Sequence, residues 1–157
     1  NAYYYDKRHL FTYGGEHKEY TGGDRRVIAE YKGWRILLQV CYDLRFPVWS
    51  RNRDDYDMIL YVASWPTPRV EAWNALLKAR AIENVCYVAG VNRVGDDPNC
   101  NYCGGTVLLD FLGKPLADAG TGGQPATLSA EADKISLTTF REKFPALQDA
   151  DPFTLNI

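Results

Sequence analysis

Three apolar runs, residues 34–40, 57–63 and 85–91, constrain the fold more than any other feature of the chain. Each is close to continuous rather than alternating, which suits strands buried on both faces. Helical segments separate them. Pro47 fits the first position of a helix running through Trp49 towards Asn52. Residues 71–84 predict the clearest helix, because Trp73, Leu76, Leu77 and Ala81 share one stripe at spacings of three and four. Strand, helix, strand, helix, strand argues for an α/β fold, with helices covering a mixed sheet in stacked layers.

The flanks read less sharply. Residues 2–5 look like a strand, and Gly14-Gly15 and Gly22-Gly23 bracket a polar loop. Residues 27–31 alternate as a strand does, and Lys32-Gly33 signals a turn. Ser64-Trp65-Pro66-Thr67-Pro68 is a loop denied regular structure by two prolines. Residues 105–110 and 115–119 predict two strands joined across residues 111–114. Residues 126–129 suggest a last short strand, and 133–143 a helix stopped by Pro145. A chain of 157 residues suits one domain with its own core.

Charge and apolar content exclude several classes. A net charge of −2 leaves no basic footprint for nucleic acid or an anionic membrane. No apolar run approaches the ~20 residues of a membrane span. Four cysteines, Cys41, Cys86, Cys100 and Cys103, in a chain with this much core material read as reduced thiols of a cytoplasmic protein. Cys100 and Cys103 form a C-x-x-C, but no second pair or suitably placed His completes a zinc site, so no metal is expected.

Two residues carry chemistry in their position. Cys41 stands where a buried strand stops and a helix is about to start, the place where α/β folds open a crevice. A helix N-terminus there would lower the thiol pKa. Position alone leaves a reactive thiol and a buried structural cysteine both open. The charges of Asp43 and Arg45, directly after the strand, favour the first. Lys7 lies in Tyr5-Asp6-Lys7-Arg8-His9-Leu10-Phe11, where a snorkelling surface lysine is the bland alternative. His9 alone reads as a histidine at the core edge.

Taken together the segments are specific. Tyr5 to Phe11, Glu16 with Gly23, then Cys41-Tyr42-Asp43-Leu44-Arg45-Phe46-Pro47 resemble the nitrilase superfamily of carbon–nitrogen hydrolases in order and spacing. Ala79-Arg80-Ala81-Ile82-Glu83-Asn84 and Gly105-Thr106-Val107 with Asp110 and Gly113 are similar to further segments of that family. Within it, the Lys7 and Cys41 segments look like the omega-amidase branch, and Arg141 to Pro145 with Gln148 to Asp151 is similar to its bacterial members.

The resemblance implies an αββα sandwich pairing through its helices into a homodimer or higher homo-oligomer. It implies a small-molecule amide substrate, the ω-amide of a short α-keto acid, and no cofactor. Cys41 matches the nucleophile, Lys7 the catalytic lysine, and Glu16 a second glutamate that orients the site. Lys7 and the backbone N–H of Tyr42 are the expected oxyanion donors. Arg69 is one candidate cation for the substrate carboxylate, a solvated loop arginine being the commoner outcome, and Trp65 either walls the pocket or merely packs. Arg45 is a second candidate, but its neighbour Asp43 suggests a structural ion pair instead. The family's general-base glutamate lies N-terminal to the lysine, and only six residues precede Lys7. The expectation is therefore a single domain, 1–157, lacking roughly its N-terminal third. The alternatives are an amidase, nitrilase or carbamoylase of other specificity, or a non-catalytic assembly module.

Overall fold

The computed structural model describes residues 2–155 of the protein. A six-stranded sheet forms its centre, in the order β1, β2, β3, β4, β7, β8. Its strands are β1 (Ile28–Tyr31), β2 (Trp34–Val40), β3 (Met58–Ala63), β4 (Tyr87–Asn92), β7 (Val107–Leu109) and β8 (Pro115–Asp118). The strands β2, β3 and β4 are mutually parallel, and the other neighbours are antiparallel. The three apolar runs are thus the parallel centre of the sheet, where both faces need cover.

Between the parallel strands lie α1 (Pro47–Ser50) and α2 (Val70–Asn84). Helix α2 lays Trp73, Leu77 and Ala81, all fully buried, against Leu37, Ile59, Tyr61 and Val88. Gly90 on β4 permits this approach, because a Cβ there would stand 2.5 Å from a Leu77 methyl. Helix α3 (Lys134–Lys143) starts on an Asp133 cap, whose carboxylate accepts the N–H groups of Ile135 and Ser136. Its Leu137 packs with Val85 and Tyr87, beside Trp34, Met58 and Phe111, over the opposite face at the starting ends of the strands. Further along that face Val62 and Val91 stay 47% and 45% exposed.

Several expectations change. Residues 2–5 and 126–129 form no strand. The helix after Pro47 stops at Ser50, short of Asn52. Residues 94–103 hold an unexpected hairpin, β5 (Val94–Asp96) with β6 (Asn101–Cys103). Its strands are three residues long and polar, so neither leaves a periodic signal.

Candidate active site

The cleft opens at the carboxyl ends of β2 and β3, where parallel α/β sheets gather their functional groups. It measures about 700 Å³. Its lining includes Lys7, Glu16, Cys41, Arg45, Trp65 and Arg69. All six expected site residues therefore converge here, Tyr42 included, and Arg45 joins them. The Tyr42 ring packs on Phe11 and Phe46.

Cys41 is the first residue after β2 and opens a five-residue 3₁₀ turn ending at Arg45. Its φ is 47°, a left-handed backbone that costs a non-glycine residue roughly 1–3 kcal/mol. The chain turns sharply here, aiming Sγ into the cleft, 4.0 Å from the carbonyl oxygen of Ser64. Tyr42 follows in the first turn, so its N–H has no acceptor within that turn.

Lys7 reaches the site from an irregular segment that glycines hold in place. The Gly23 N–H donates to the Lys7 carbonyl at 2.9 Å, and Arg8 donates to the Gly23 carbonyl at 3.1 Å. A Cβ on Gly23 would lie 2.3 Å from the Asp6 carbonyl oxygen, so only glycine lets the two segments touch. The Lys7 Nζ donates to both Glu16 oxygens, at 2.8 and 2.6 Å. Glu16 also accepts the Phe11 N–H at 2.8 Å, which fixes the carboxylate.

The thiol differs from expectation. Burial is the largest influence and pushes the Cys41 thiol above its ordinary value. The Lys7 cation opposes this, while the Glu16 and Asp43 charges add to it. Desolvation outweighs the lysine, so the resting site favours the protonated thiol.

The expected pairing of Arg45 with Asp43 is also absent. Asp43 is fully buried and takes its donors from Tyr5, His9 and Val40. Arg45 instead lies over Trp65, 5.1 Å from the ring centroid. Arg69 lies over Phe11 at 5.5 Å. Trp65 serves two purposes. It lines the cleft and packs on Trp73, while its indole N–H donates to the Arg69 carbonyl at 2.7 Å. Asn92 at the end of β4 holds that loop, accepting the Trp65 N–H and donating to the Trp65 carbonyl. Arg80 of α2 is buried, donates to the Leu44 carbonyl at 2.6 Å and pairs with Glu83. Asn92 leaves no signal in sequence; Asp43 and Arg80 stand out there as charges beside apolar segments, but their partners do not, except that an Asp at the third position of a turn often binds back to the residue before it.

Comparison with known proteins agrees with this geometry. The carbon–nitrogen hydrolase family model matches residues 2–142. The chain belongs to the carbon–nitrogen hydrolase family. It is 58% identical to the omega-amidase YafV of Yersinia enterocolitica, over 96% of this chain and 59% of that protein. It is 35% identical to a 2-oxoglutaramate amidase of Bacillus subtilis, over 92% of this chain and 56% of that protein. Among solved structures it superposes on XC1258 of Xanthomonas campestris with a TM-score of 0.91 and 49% identity. That match covers 98% of this chain and 61% of the other, a carbon–nitrogen hydrolase superfamily protein with an arsenic adduct in its active site. The α/β architecture is that of the nitrilase-type hydrolases. The chain spans about 60% of the length of these relatives.

Proposed function

We propose that this chain carries the nucleophile and lysine of an omega-amidase, which hydrolyses the ω-amide of a short α-keto acid such as 2-oxoglutaramate. The observation that carries this reading is the shared cleft of Cys41, Lys7 and Glu16 at the carboxyl ends of β2 and β3. The likeness to an omega-amidase and to a 2-oxoglutaramate amidase supports the choice of substrate.

An amide resists water because its amine is a poor leaving group. A covalent route divides the task into acylation and hydrolysis. Cys41 attacks the amide carbon and gives up its thiol proton, which burial favours keeping in the resting site. Glu16 is committed to Lys7 and Phe11, so its part is to orient the lysine. A general-base carboxylate takes the proton and passes it to the departing ammonia. Lys7 and the Tyr42 N–H stabilise the oxyanion; one such donor is typically worth ~3 kcal/mol. Collapse expels ammonia and leaves a thioester on Cys41. Water activated by the same carboxylate then releases the acid and frees the thiol.

Arg69, with Arg45 near it, suits the carboxylate of the keto acid, because a guanidinium binds carboxylates in a two-pronged fashion. Trp65 walls the acyl portion. The reaction needs no metal or organic cofactor. The four free cysteines fit a reducing cytoplasm. Val48 on α1 and Ile82 on α2, each 51% exposed, suit a homodimer formed through the helices. The apolar face bearing Val62 and Val91 suits a second sheet supplied by the remainder of an αββα sandwich.

The decisive assay is ammonia release from 2-oxoglutaramate, with Cys41→Ala as control. Release that disappears in the variant is expected. Equal release from the variant, or turnover of simple nitriles in preference to keto acid amides, would refute the assignment.

A further inference from the structure

Asp43 lies two residues beyond Cys41 and has no accessible surface at all. A buried carboxylate is costly unless its lone pairs are filled. Here four donors fill them, and they come from two separate parts of the chain. Oδ1 accepts the His9 N–H and lies against His9 Nδ1, both at 2.9 Å. Oδ2 accepts the Tyr5 hydroxyl at 2.7 Å and the Val40 N–H at 3.0 Å. Tyr5 and His9 bracket Lys7, and Val40 is the residue before Cys41. The Tyr5 oxygen also accepts the Trp49 indole N–H at 3.0 Å, which ties the same point to α1. The His9 ring lies flat on Phe46, with centroids 3.8 Å apart.

We infer that Asp43 is a positioning residue, a clamp that fixes the Lys7 segment against the Cys41 turn and so sets the lysine–thiol geometry. This rests on the reading of Cys41 and Lys7 as nucleophile and cationic partner. Asp43 lies behind the cleft and is absent from its lining, so it acts through the two segments it joins.

The carboxylate is specifically required. In Asp43→Asn the amide nitrogen must face one donor pair. His9 can change tautomer and the Tyr5 hydroxyl can rotate, but neither backbone N–H can. One buried N–H, of His9 or of Val40, is orphaned whichever way the amide turns. The junction between the two segments then loosens.

The test compares Asp43→Asn and His9→Phe with the parent enzyme, reading kcat, KM and the pH dependence of Cys41 alkylation. Lys7, Glu16 and Asp43 are the charges that act most strongly on this thiol, and Asp6, Arg45 and Arg69 also line its cleft. Misplacement near 1 Å costs on the order of 100-fold in rate, so Asp43→Asn should lower kcat about that much with KM within roughly threefold. Removing the negative charge by itself would lower the thiol's alkylation midpoint and spare kcat. A folded Asn variant with a lowered midpoint and near-parent kcat therefore overturns the clamp. His9→Phe keeps the stacked ring and the Asp43 charge but removes one donor. It settles the matter if the Asn variant does not fold. About tenfold lower kcat, unchanged KM and a raised midpoint support the clamp, and parent-like values overturn it. Parent Cys41 alkylating no faster than buried Cys86 would instead sink the nucleophile reading, a separate and recognisable failure.

Discussion

Replacing Asp57 by Asn should destabilise the protein by about 2 kcal/mol at pH 7, and that cost should fade in acid. The Asp57 side chain is 3% exposed and meets three cations. Arg35 donates to it at 2.9 Å, Lys134 at 3.1 Å and Arg141 at 3.4 Å. Burial alone would raise its pKa. The Arg35 side-chain and backbone hydrogen bonds and the Lys134 contact outweigh burial and bring it from 3.8 to about 2. A depression of that size corresponds to roughly 2.4 kcal/mol by linkage. Arg35 and Lys134 are 37% and 41% exposed, so solvent screens part of this and about 2 kcal/mol remains. The folded pKa lies below the unfolded one, so the stabilisation is present above the unfolded value. It is lost as pH falls through the folded value, with about half gone near pH 3. Asn resembles the protonated acid, so the gap between parent and variant should narrow to about half near pH 3 and close only below the folded pKa of about 2. Urea unfolding at pH 7, 5 and 3 measures the difference, provided the slope is unchanged. A difference that stays constant with pH, or one under about 0.5 kcal/mol at pH 7, would refute the reasoning. Arg141 keeps the Val85 and Tyr56 carbonyls in either case, so α3 should remain docked.

Two further outcomes test the site. Glu16→Gln replaces the carboxylate that grips Lys7 at 2.6 and 2.8 Å, and kcat should fall roughly 10- to 100-fold with little change in KM. Steady-state ammonia release reads this, and an unchanged kcat would remove Glu16 from the orienting role. Arg69→Ala should raise KM for a keto acid ω-amide roughly 10-fold or more and leave a neutral short-chain amide unaffected. An equal effect on both amides would show that Arg69 shapes the cleft rather than reading the carboxylate.

Local pattern determined much of this protein from sequence alone. The continuous apolar runs place β2, β3 and β4 to within two residues, because parallel strands at the centre of a sheet carry apolar residues towards both faces. The stripe of Trp73, Leu77 and Ala81 specifies α2, because a 3.6-residue period is visible without knowing what the helix packs on. The segments around Lys7, Glu16 and Cys41 name the family. The tertiary structure decided whatever depends on partners distant in the chain. Nearness in sequence suggests that Arg45 pairs with Asp43, yet Asp43 spends its lone pairs largely on Tyr5 and His9, 38 and 34 residues away. Gly23 reads as loop punctuation until the Asp6 backbone is found against it. A helix start beside Cys41 predicts a lowered thiol pKa. Its actual direction is set by desolvation, which exists only once strands, turn and loop have closed around Sγ. Hydrogen bonding and burial are properties of what surrounds a group, and a one-dimensional pattern carries the group without its surroundings.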